Sequence, residues 1–375
     1  MSILISIAYI SYLILANYII QGLKKYKTEK LLEYSVQDDL IKFSVLIPCR
    51  DEIRRLEPLL QSINQLAYDF NCFEIIFIDD HSKDDTYELI KEYQQENDRM
   101  EIKVLKNNLS AGKKYALTYG ILEAKYDYIL TTDADCYLPE TWLQSFHQHL
   151  KIKKSSMVIA PVVYRQAKNF LEQFQHDDFL SLQAISLATA MRNKPILCNG
   201  ANLCYKKKDF FRVGGFDQHK NIASGDDVLL MECFLEKKLQ VDYLSVENLP
   251  VITQPVSSWK TLINQRKRWI SKMGKTKNRT NYFLLFSLVS FVLGFWSLLI
   301  LGFFETFYYQ VLFTLIVFKW LMDYLIFKNL ADTIKVVLCY RKIMLSSIFY
   351  PVWISLFSLL SLNKFYTWKN EVKKY

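Results

Sequence analysis

The stretch FSVLIPCRDE at residues 43–52 decides the fold, and FEIIFIDDHS at 73–82 and YILTTDAD at 128–135 follow the same pattern. Each begins with a short apolar run of β-branched and aromatic residues, which is typical of a buried strand, and each ends in carboxylates. Apolar residues at helical spacing follow the first two runs, over 51–66 and 84–93. Strands that alternate with helices predict an α/β domain with a mostly parallel sheet, covered by helices on both faces.

The carboxylates after these strands are the first candidates for a functional site. Ligands of parallel α/β sheets bind at the carboxyl ends of the strands, where we expect Asp79, Asp80, Asp133 and Asp135 to lie. Carboxylates that converge on one edge repel each other unless a cation or a donor group lies among them. The pair at 133 and 135 therefore predicts a site for a hard divalent ion, Mg²⁺ or Mn²⁺, which would bridge nucleotide phosphates. The sequence contains no Gly-x-Gly-x-x-Gly or phosphate-loop motif, so a Rossmann dehydrogenase and a P-loop enzyme are unsupported.

Both ends of the chain are strongly apolar, although the mean hydropathy of all 375 residues is only +0.03. About 20 apolar residues cross a bilayer core as a helix, so these segments predict transmembrane helices. The third segment qualifies if Lys319 or Asp323 faces a partner helix or snorkels to the membrane surface. The predicted segments are 1–23, about 282–304, about 307–327 and about 343–363.

Basic residues orient the predicted spans. Lysines at 24–30 follow the first span, and seven basic residues at 266–279 precede the second. Because basic flanks face the cytoplasm, we expect a multi-pass protein of the inner (plasma) membrane whose middle region is cytoplasmic. Three C-terminal spans would place the basic tail outside, whereas a re-entrant segment around Pro351 would keep it inside, and both arrangements stay open.

Cysteine and histidine spacing predicts no zinc site. The seven cysteines show no Cys-x-x-Cys spacing, which favours reduced thiols in a cytoplasmic domain. His147 and His149 are separated by one residue, which is a weak metal signal, and we expect both to be exposed at a polar helix end.

Further short motifs follow in a characteristic order: NGAN at 199–202, GGFD at 214–217, SGDD at 224–227 and QRKRW at 265–269. With the acidic strand ends before them, these motifs give the chain a strong resemblance to the membrane-bound inverting glycosyltransferases of family 2. The resemblance covers about residues 42–270 and the flanking spans. It implies a GT-A fold, a Rossmann-like α/β domain with a mostly parallel sheet, flanked here by transmembrane helices.

The resemblance implies a role for each matching position. Asp226 and Asp227 match the Glu-Asp motif, in which the Asp supplies the catalytic base. The matches to the donor and nucleotide positions are Pro48, Arg50, Glu52, Asp79, Asp80, Lys113 and Asp133, and those to the metal position are Asp135 and Asp133. The matches to the acceptor and diphosphate positions are Gln265, Arg268, Trp269, Gly200, Asn202 and Gly215. The chain departs from the family pattern at Arg50, Asp51 and Asp226, where an aromatic residue, Asn and Glu are usual.

Together, the motifs and the apolar ends predict a membrane-anchored glycosyltransferase of the hexosyltransferase type. We expect an anchor at 1–23, a cytoplasmic GT-A domain with a juxtamembrane amphipathic segment at 24–281, and a membrane domain with a basic tail at 282–375. The expected donor is a nucleotide sugar, preferably a UDP-sugar, used with Mg²⁺ or Mn²⁺. The expected acceptor is a lipid or a membrane-proximal glycan of a bacterial cell envelope, next to a phospholipid membrane and without nucleic acid. The sugar, the acceptor, processivity and the oligomeric state stay open.

Simpler interpretations exist for several of these residues. Asp80 and Asp227 are also suited to cap helices, and Lys113 to a solvated helix face. The QRKRW segment is also suited to anchor the chain at an anionic membrane surface. A catalytically inactive membrane scaffold is the alternative function, and a nucleotidyltransferase on the same fold ranks below it. The acidic pair Asp177 and Asp178 follows no strand and is expected to be structural or on the acceptor side.

Overall fold

The structure is a computed structural model that describes residues 2–29, 39–219, 225–245, 249–273, 279–338, 340–361, 365–368 and 371–374. The helices are α1 (Ser2–Glu29), α2 (Glu57–Ile63), α3 (Thr86–Glu96), α4 (Lys113–Glu123), α5 (Trp142–Ile152), α6 (Phe170–Ala190), α7 (Lys207–Arg212), α8 (Val228–Glu236), α9 (Trp259–Met273), α10 (Arg279–Gly302), α11 (Phe307–Ile334) and α12 (Tyr340–Ser361). The strands are β1 (Phe43–Cys49), β2 (Phe73–Asp79), β3 (Glu101–Lys106), β4 (Tyr128–Thr131), β5 (Met157–Ile159), β6 (Val162–Tyr164), β7 (Leu203–Lys206), β8 (Val241–Tyr243), β9 (Val251–Thr253), β10 (Phe365–Trp368) and β11 (Glu371–Lys374).

The main sheet has the strand order β3-β2-β1-β4-β7-β5-β8. β1 lies parallel to both β2 and β4, with Val45 opposite Ile75 on one side and Leu130 on the other. β7 is antiparallel to β4 and β5, so the sheet is mixed but mostly parallel. β1 and β2 are buried along nearly their whole length, as expected for strands covered on both faces. The predicted α/β fold is confirmed.

The helix predicted after β1 is shorter than its apolar spacing indicated. The predicted range was 51–66, but residues 51–56 form turns and α2 begins at Glu57. Asp51 has a φ of 52°, a left-handed conformation that Asp tolerates better than most residues. Its Oδ1 accepts a hydrogen bond from the amide of Lys83 at 2.7 Å, which holds the chain in a loop. A contact with a distant segment therefore overrides the local helical pattern.

The expectation that His147 and His149 are exposed is wrong, because both are fully buried in α5. Nδ1 of His147 accepts from the amide of Ile41 at 3.2 Å. The ring of His149 bonds to Ser155 and Ser245. Buried polar groups need hydrogen-bond partners. Here the partners come from segments before and after the helix, which the helix sequence does not reveal.

Two compact units divide the chain. One, which we call the sheet unit, comprises Glu29–Arg165 and Leu197–Gln254. The other, which we call the helical unit, comprises Met1–Thr28, Gln166–Ile196 and Pro255–Tyr375. The helical unit thus joins the two chain ends to α6 and α9 from the middle region. The division into an anchor, a cytoplasmic domain and a membrane domain stays a prediction about the membrane boundary.

Four helices of the helical unit are long and apolar enough to cross a membrane. They are Ile5–Glu29, Tyr282–Gly302, Phe307–Ile334 and Lys342–Ser361. Small residues mark their close contacts: a Cβ added to Gly22 would lie 2.5 Å from Cα of Ala188 in α6, and the hydroxyls of Ser11 and Ser290 are 2.9 Å apart. Such contacts are typical of packing between apolar helices, where close backbone approach and polar pairs replace the hydrophobic effect.

A buried ion pair joins three of these helices, as the sequence required for the third segment. Lys319 and Asp323, one turn apart in α11, form a salt bridge in which both side chains are buried. Asp323 also accepts hydrogen bonds from Tyr12 of α1 and from Ser347 of α12, the latter at 2.6 Å. Both charged residues therefore face partner helices, because an unpaired charge inside an apolar bundle would be costly.

Candidate active site

The ends of β2, β1 and β4 meet at one edge of the sheet, where the predicted carboxylates lie. The amide of Asp80 donates to the carbonyl of Cys49 at 2.7 Å, and that of Thr132 donates to Leu46 at 3.2 Å. These bonds continue the parallel ladders past the strands and fix where the next side chains begin. This register determines where the side chains of Asp79, Asp80, Asp133 and Asp135 lie.

Lys113, the first residue of α4, links the carboxylates of two motifs. Its Nζ lies 2.6 Å from Oδ1 of Asp133 and 3.2 Å from Oδ2 of Asp226. Burial alone lowers the pKa of Lys113, but the carboxylates of Asp133, Asp226 and Asp227 outweigh burial and raise this pKa above its ordinary value. The lysine is therefore the fixed cation of an acidic cluster and is not part of a solvated face.

Asp80 holds the loop that delivers Lys113. Its carboxylate accepts from the amide of Gly112 at 2.9 and 3.0 Å and from Nδ2 of Asn107 at 2.9 Å. Gly112 has a φ of 140°, which favours glycine, and it directly precedes α4. Asp80 thus positions the start of α4 and does not cap α3, whose first residue is Thr86.

Asp79 differs from its neighbour because it retains an unused acceptor. Oδ1 of Asp79 is buried and has no hydrogen-bond partner among the described residues. A buried acceptor without a partner is costly, which suits a group that waits for a ligand donor. Asp79 is therefore the better candidate of the two for direct contact with a ligand.

The loop after β1 is tied to the loop after β2. The amide of Glu52 donates to Oγ1 of Thr86 at 2.8 Å, and the amide of Asp51 donates to Oγ of Ser82 at 3.1 Å. The carboxylate of Glu52 forms a salt bridge of 2.7 Å with Arg55. Pro48 and Arg50, the other predicted donor-binding residues here, are partly buried in and just after β1.

Asp227 is held by backbone donors from two segments. Its Oδ1 accepts from the amide of Val228 at 2.7 Å, which makes it the N-cap of α8, and its Oδ2 accepts from the amide of Gly200 at 3.3 Å. A Cβ on Gly200 would lie 3.2 Å from the carboxylate of Asp226. The helix-capping interpretation of Asp227 is thus confirmed, and the cap also points the second oxygen toward the Gly200 loop.

Asp135 is the loosely held member of the acidic pair. Its side-chain partners are Arg55 at 3.5 Å, Oγ1 of Thr253 at 3.4 Å and Sγ of Cys136 at 4.0 Å, whereas Asp133 is tied to Lys113 at 2.6 Å. Burial and the neighbouring Asp133 raise the pKa of Asp135, and the cations Arg55 and Lys113 offset only part of this effect. A further cation at Asp135 would stabilise its ionised form.

The side chains available as metal ligands decide whether a divalent ion fits this site. The described residues contain no group of three His, Cys, Asp or Glu side chains that could coordinate an ion on their own. Mg²⁺ commonly binds through one or two carboxylates and completes its shell with substrate phosphates and water. Asp135 and Asp133 supply those carboxylates, so the residues fit a metal that arrives with a phosphorylated ligand.

Asn202 and Gly215 have structural surroundings in the sheet unit. The amide side chain of Asn202 is fully buried, accepts from Nε1 of Trp142 at 2.9 Å and donates to the carbonyl of Pro161 at 2.8 Å. Gly215 has a φ of 55°, and a Cβ there would lie 2.8 Å from the ring of Phe210. These contacts shape the turn before β7 and the turn after α7.

The predicted residues Gln265, Arg268 and Trp269 lie on α9 in the helical unit. The ring of Trp269 stacks with the guanidinium of Arg266 at 4.1 Å and contacts Phe179. Arg266 forms a buried salt bridge of 2.6 Å with Asp178, and Asp177 accepts from Ser346 of α12 at 2.7 Å. The acidic pair of α6 therefore holds α9 and α12, in agreement with the structural one of the two roles expected for it.

A comparison with known proteins identifies the sheet-unit motifs. Residues 44–214 match the family model described as Glycosyl transferase family 2. The chain contains a glycosyl transferase family 2 domain. The matched range begins in β1 and ends in the GGFD motif, so it includes the acidic strand ends and Lys113.

Two curated bacterial relatives of this family 2 domain are named as glycosyl-transferring enzymes. The poly-beta-1,6-N-acetyl-D-glucosamine synthase of Staphylococcus aureus (strain COL) is 28% identical over 198 residues, which cover 52% of this chain and 46% of that protein. The probable glycosyltransferase YdaM of Bacillus subtilis (strain 168) is 25% identical over 237 residues, which cover 62% of this chain and 55% of that protein. The matches thus span about half the length of these relatives.

A solved structure shows the fold of the family 2 domain. The mannosyltransferase PcManGT from Pyrobaculum calidifontis, in complex with GDP-Man and Mn²⁺, superposes with a TM-score of 0.59. It covers 94% of this chain and 99% of its own, at 14% sequence identity. The GT-A fold expected from the motifs is therefore confirmed.

Two arginines that the sequence did not single out contact motif residues, one in the family 2 domain and one in α9. Arg55 lies beside Asp135, and Arg266 stacks on Trp269. Arg266 stands within the QRKRW motif, so its spacing of three residues from Trp269 was a usable signal. Arg55 stands in a loop six residues after β1, where no periodic pattern indicates the direction of a side chain.

Proposed function

We propose that the protein is a membrane-anchored inverting glycosyltransferase of the hexosyltransferase type, which uses a nucleotide-sugar donor. The observation behind the proposal is the cluster in which Nζ of Lys113 bridges Asp133 and Asp226, with Asp135 and Asp227 nearby. The cluster brings a metal-type carboxylate pair and two candidate bases to the ligand-binding edge of a parallel sheet. The family 2 match and the names of the relatives support the same reaction class.

The proposed reaction needs one base and one stabilised leaving group. The acceptor oxygen forms a bond to the anomeric carbon while the bond from that carbon to the diphosphate oxygen breaks. Asp227 takes the hydroxyl proton, a contribution of about 10²–10⁴-fold in rate for a well-placed base. Its two backbone donors fix the carboxylate orientation before the acceptor binds. A single displacement inverts the anomeric centre.

Asp135, together with Asp133, would hold Mg²⁺ or Mn²⁺, which when bound neutralises charge on the diphosphate leaving group. Lys113 adds a fixed positive charge beside the same carboxylates. The raised pKa of Asp135 supports this assignment, because a cation there relieves the cost of a buried carboxylate. The solved mannosyltransferase with a similar fold contains Mn²⁺.

We propose UDP as the nucleotide of the donor. Oδ1 of Asp79 is a buried acceptor without a partner among the described residues, at the end of β2. The imide N–H of uracil can donate to this oxygen, and the resemblance to family 2 implies that a carboxylate at this position holds the uracil or the ribose. Isothermal calorimetry with Mn²⁺ should therefore show tighter binding of UDP than of GDP, and a preference for GDP would contradict this assignment.

The acceptor is proposed to be a lipid or a membrane-proximal glycan of a bacterial envelope, met at the cytoplasmic face of the inner membrane. The support is that Gln265, Arg268 and Trp269 lie in the same compact unit as the four apolar helices. Single transfer is favoured over processive synthesis, because a channel for a polymer would need more helices than the four apolar ones found among the described residues.

The test compares carboxylates of different roles in the full-length protein in detergent or nanodiscs. Asp227→Asn keeps a residue that caps helices well but removes the base, so transfer should fall by about 10²–10⁴-fold while binding of UDP with Mn²⁺ stays within twofold. Asp135→Ala should instead weaken the Mn²⁺-dependent part of UDP binding. Sugar transfer and calorimetry are measured on the same preparations.

The matched control is Asp98→Asn, at an exposed aspartate of the same unit outside the motifs, which should leave both measurements unchanged. Full transfer activity in Asp227→Asn would contradict the assignment of the base. A wild-type protein that binds no nucleotide with Mn²⁺ would favour the alternative of an inactive scaffold.

A further inference from the structure

Arg55 lies at the mouth of the acidic cluster and is shared between two carboxylates. Its Nη2 is 2.7 Å from Glu52, and its Nη1 is 3.5 Å from Oδ2 of Asp135. The amide of Arg55 donates to the carbonyl of Glu52 at 2.8 Å, so a tight turn fixes the start of its side chain. The side chain is 42% exposed, whereas those of Glu52 and Asp135 are 13% and 23% exposed.

The two contacts of this guanidinium differ in strength. The contact with Glu52 is a close ion pair at 2.7 Å, whereas the contact with Asp135 is a hydrogen bond at the long limit of 3.5 Å. Oδ1 of Asp135 is also contacted only loosely, by Oγ1 of Thr253 at 3.4 Å and by Sγ of Cys136 at 4.0 Å. The shorter contact therefore holds the guanidinium of Arg55 at Glu52. The longer contact with Asp135 is weak, so losing it costs little free energy.

The site therefore contains two cations, Lys113 and Arg55, and their carboxylate partners hold them with unequal strength. Lys113 is locked between Asp133 and Asp226, and it stays with them in any state that keeps these carboxylates ionised. Arg55 is the cation beside Asp135, at 3.5 Å from its Oδ2. A divalent ion at Asp135 would repel the guanidinium at such a short distance and would remove the reason for its position.

We propose that Arg55 is a counter-ion that Asp135 gives up when a divalent metal binds, and that the released guanidinium then binds the diphosphate of the donor. Its planar fork suits bidentate contacts with phosphate oxygens, and its exposed position leaves it free to turn about the Glu52 anchor. The inference rests on the proposed function, because it takes a nucleoside diphosphate as the ligand. Arg55 would thereby couple metal binding to donor binding.

Two affinities of the full-length protein test the exchange, and neither depends on turnover. The first is the affinity for Mn²⁺ alone, measured by electron paramagnetic resonance of free Mn²⁺. The second is the affinity for UDP at saturating Mn²⁺, measured by calorimetry. In Arg55→Gln we expect Mn²⁺ alone to bind at least threefold more tightly, because its competitor is gone. We expect UDP to bind about tenfold more weakly, because a hydrogen bond to a charged group is lost.

Arg54→Gln is the matched control, since this neighbouring arginine is exposed and should change both affinities by less than twofold. Opposite shifts confined to the Arg55 variant support the exchange. Unchanged affinities, or shifts in the same direction, overturn it while wild-type binding of UDP keeps the proposed function intact. If the wild-type protein binds neither Mn²⁺ nor UDP, the proposed function fails together with the inference.

Discussion

At the residue scale, the adjacent glycines Gly214 and Gly215 are required for different reasons, which are backbone conformation at both and side-chain packing at only one. Gly214 has a φ of 82° and Gly215 a φ of 55°, so both adopt backbone conformations that side chains disfavour. A Cβ on Gly214 would meet nothing within 4 Å, whereas one on Gly215 would lie 2.8 Å from the ring of Phe210. The motif GGFD therefore contains one glycine required by backbone conformation alone and one required by packing as well.

Alanine at these two positions should have unequal effects on stability. Gly214→Ala should cost about 1–2 kcal/mol for the left-handed conformation. Gly215→Ala should cost about 1–3 kcal/mol more than Gly214→Ala, because Phe210 is fully buried and has to shift. Chemical denaturation of the two variants against wild type measures both differences. Equal destabilisation would show that Phe210 moves freely and would contradict the crowding argument.

At the element scale, α5 contains a histidine whose hydrogen bonds require the neutral ring. Nδ1 of His149 accepts from the amide of Ser245 at 3.1 Å, so this nitrogen has no proton. Nε2 then donates to Oγ of Ser155, which itself donates to Asp242 at 2.5 Å. Protonation of Nδ1 would set two N–H groups against each other in a buried site. Burial lowers the pKa of His149 to about 4, with Asp242 opposing and Lys153 adding to the shift.

This arrangement predicts acid sensitivity with a defined sign. The imidazole of His149 is protonated near pH 6.5 in the unfolded chain but only near pH 4 in the folded chain. The stability contribution is therefore fully present above pH 6.5 and is lost as the pH falls from about 6.5 to about 4. In His149→Gln, the slope of unfolding free energy against pH should be smaller over this window.

Denaturant titrations at several pH values measure that slope. His81→Asn is the matched control, because it removes an exposed histidine and because Asn tolerates the left-handed φ of 61° found there. A slope that is unchanged in His149→Gln, or reduced equally in both variants, would assign the acid sensitivity to other groups.

At the scale of the whole molecule, the C-terminal hairpin of β10 and β11 bears on the orientation of the tail. Nζ of Lys267 in α9 donates to the carbonyl of Phe365, the first residue of β10, at 3.4 Å. Both residues belong to the helical unit. The hairpin therefore lies beside α9, the helix that precedes the first C-terminal apolar helix. This contact favours the arrangement in which the tail and α9 share one side of the membrane.

Cysteine labelling tests the position of the tail. Lys260→Cys in α9 and Lys373→Cys in β11 should react with a membrane-impermeant maleimide from the same side of sealed vesicles. The unsubstituted chain gives the background from its seven native cysteines. Labelling of the two positions from opposite sides would show that α10, α11 and α12 all cross and that the hairpin contact does not form in the membrane.

The sequence by itself determined the class of the fold and the members of the acidic cluster. Short apolar runs that end in carboxylates were sufficient, because strand burial and the meeting of parallel strand ends are local consequences of sequence and register. The apolar helices were equally evident, because their lengths and compositions are local properties. The acidic strand ends, followed in order by the motifs NGAN, GGFD, SGDD and QRKRW, were enough to suggest the family.

Only the tertiary structure decided how these residues divide their work. It engaged Asp80 with Gly112 while leaving an acceptor of Asp79 unused, and it buried two histidines that were expected at the surface. It also placed Arg55 against Asp135, although 80 positions separate them in the chain. The physical reason is the same in each case: hydrogen bonds and ion pairs between distant segments depend on where the folded backbone brings donors and charges together, and no periodic pattern in the sequence records that.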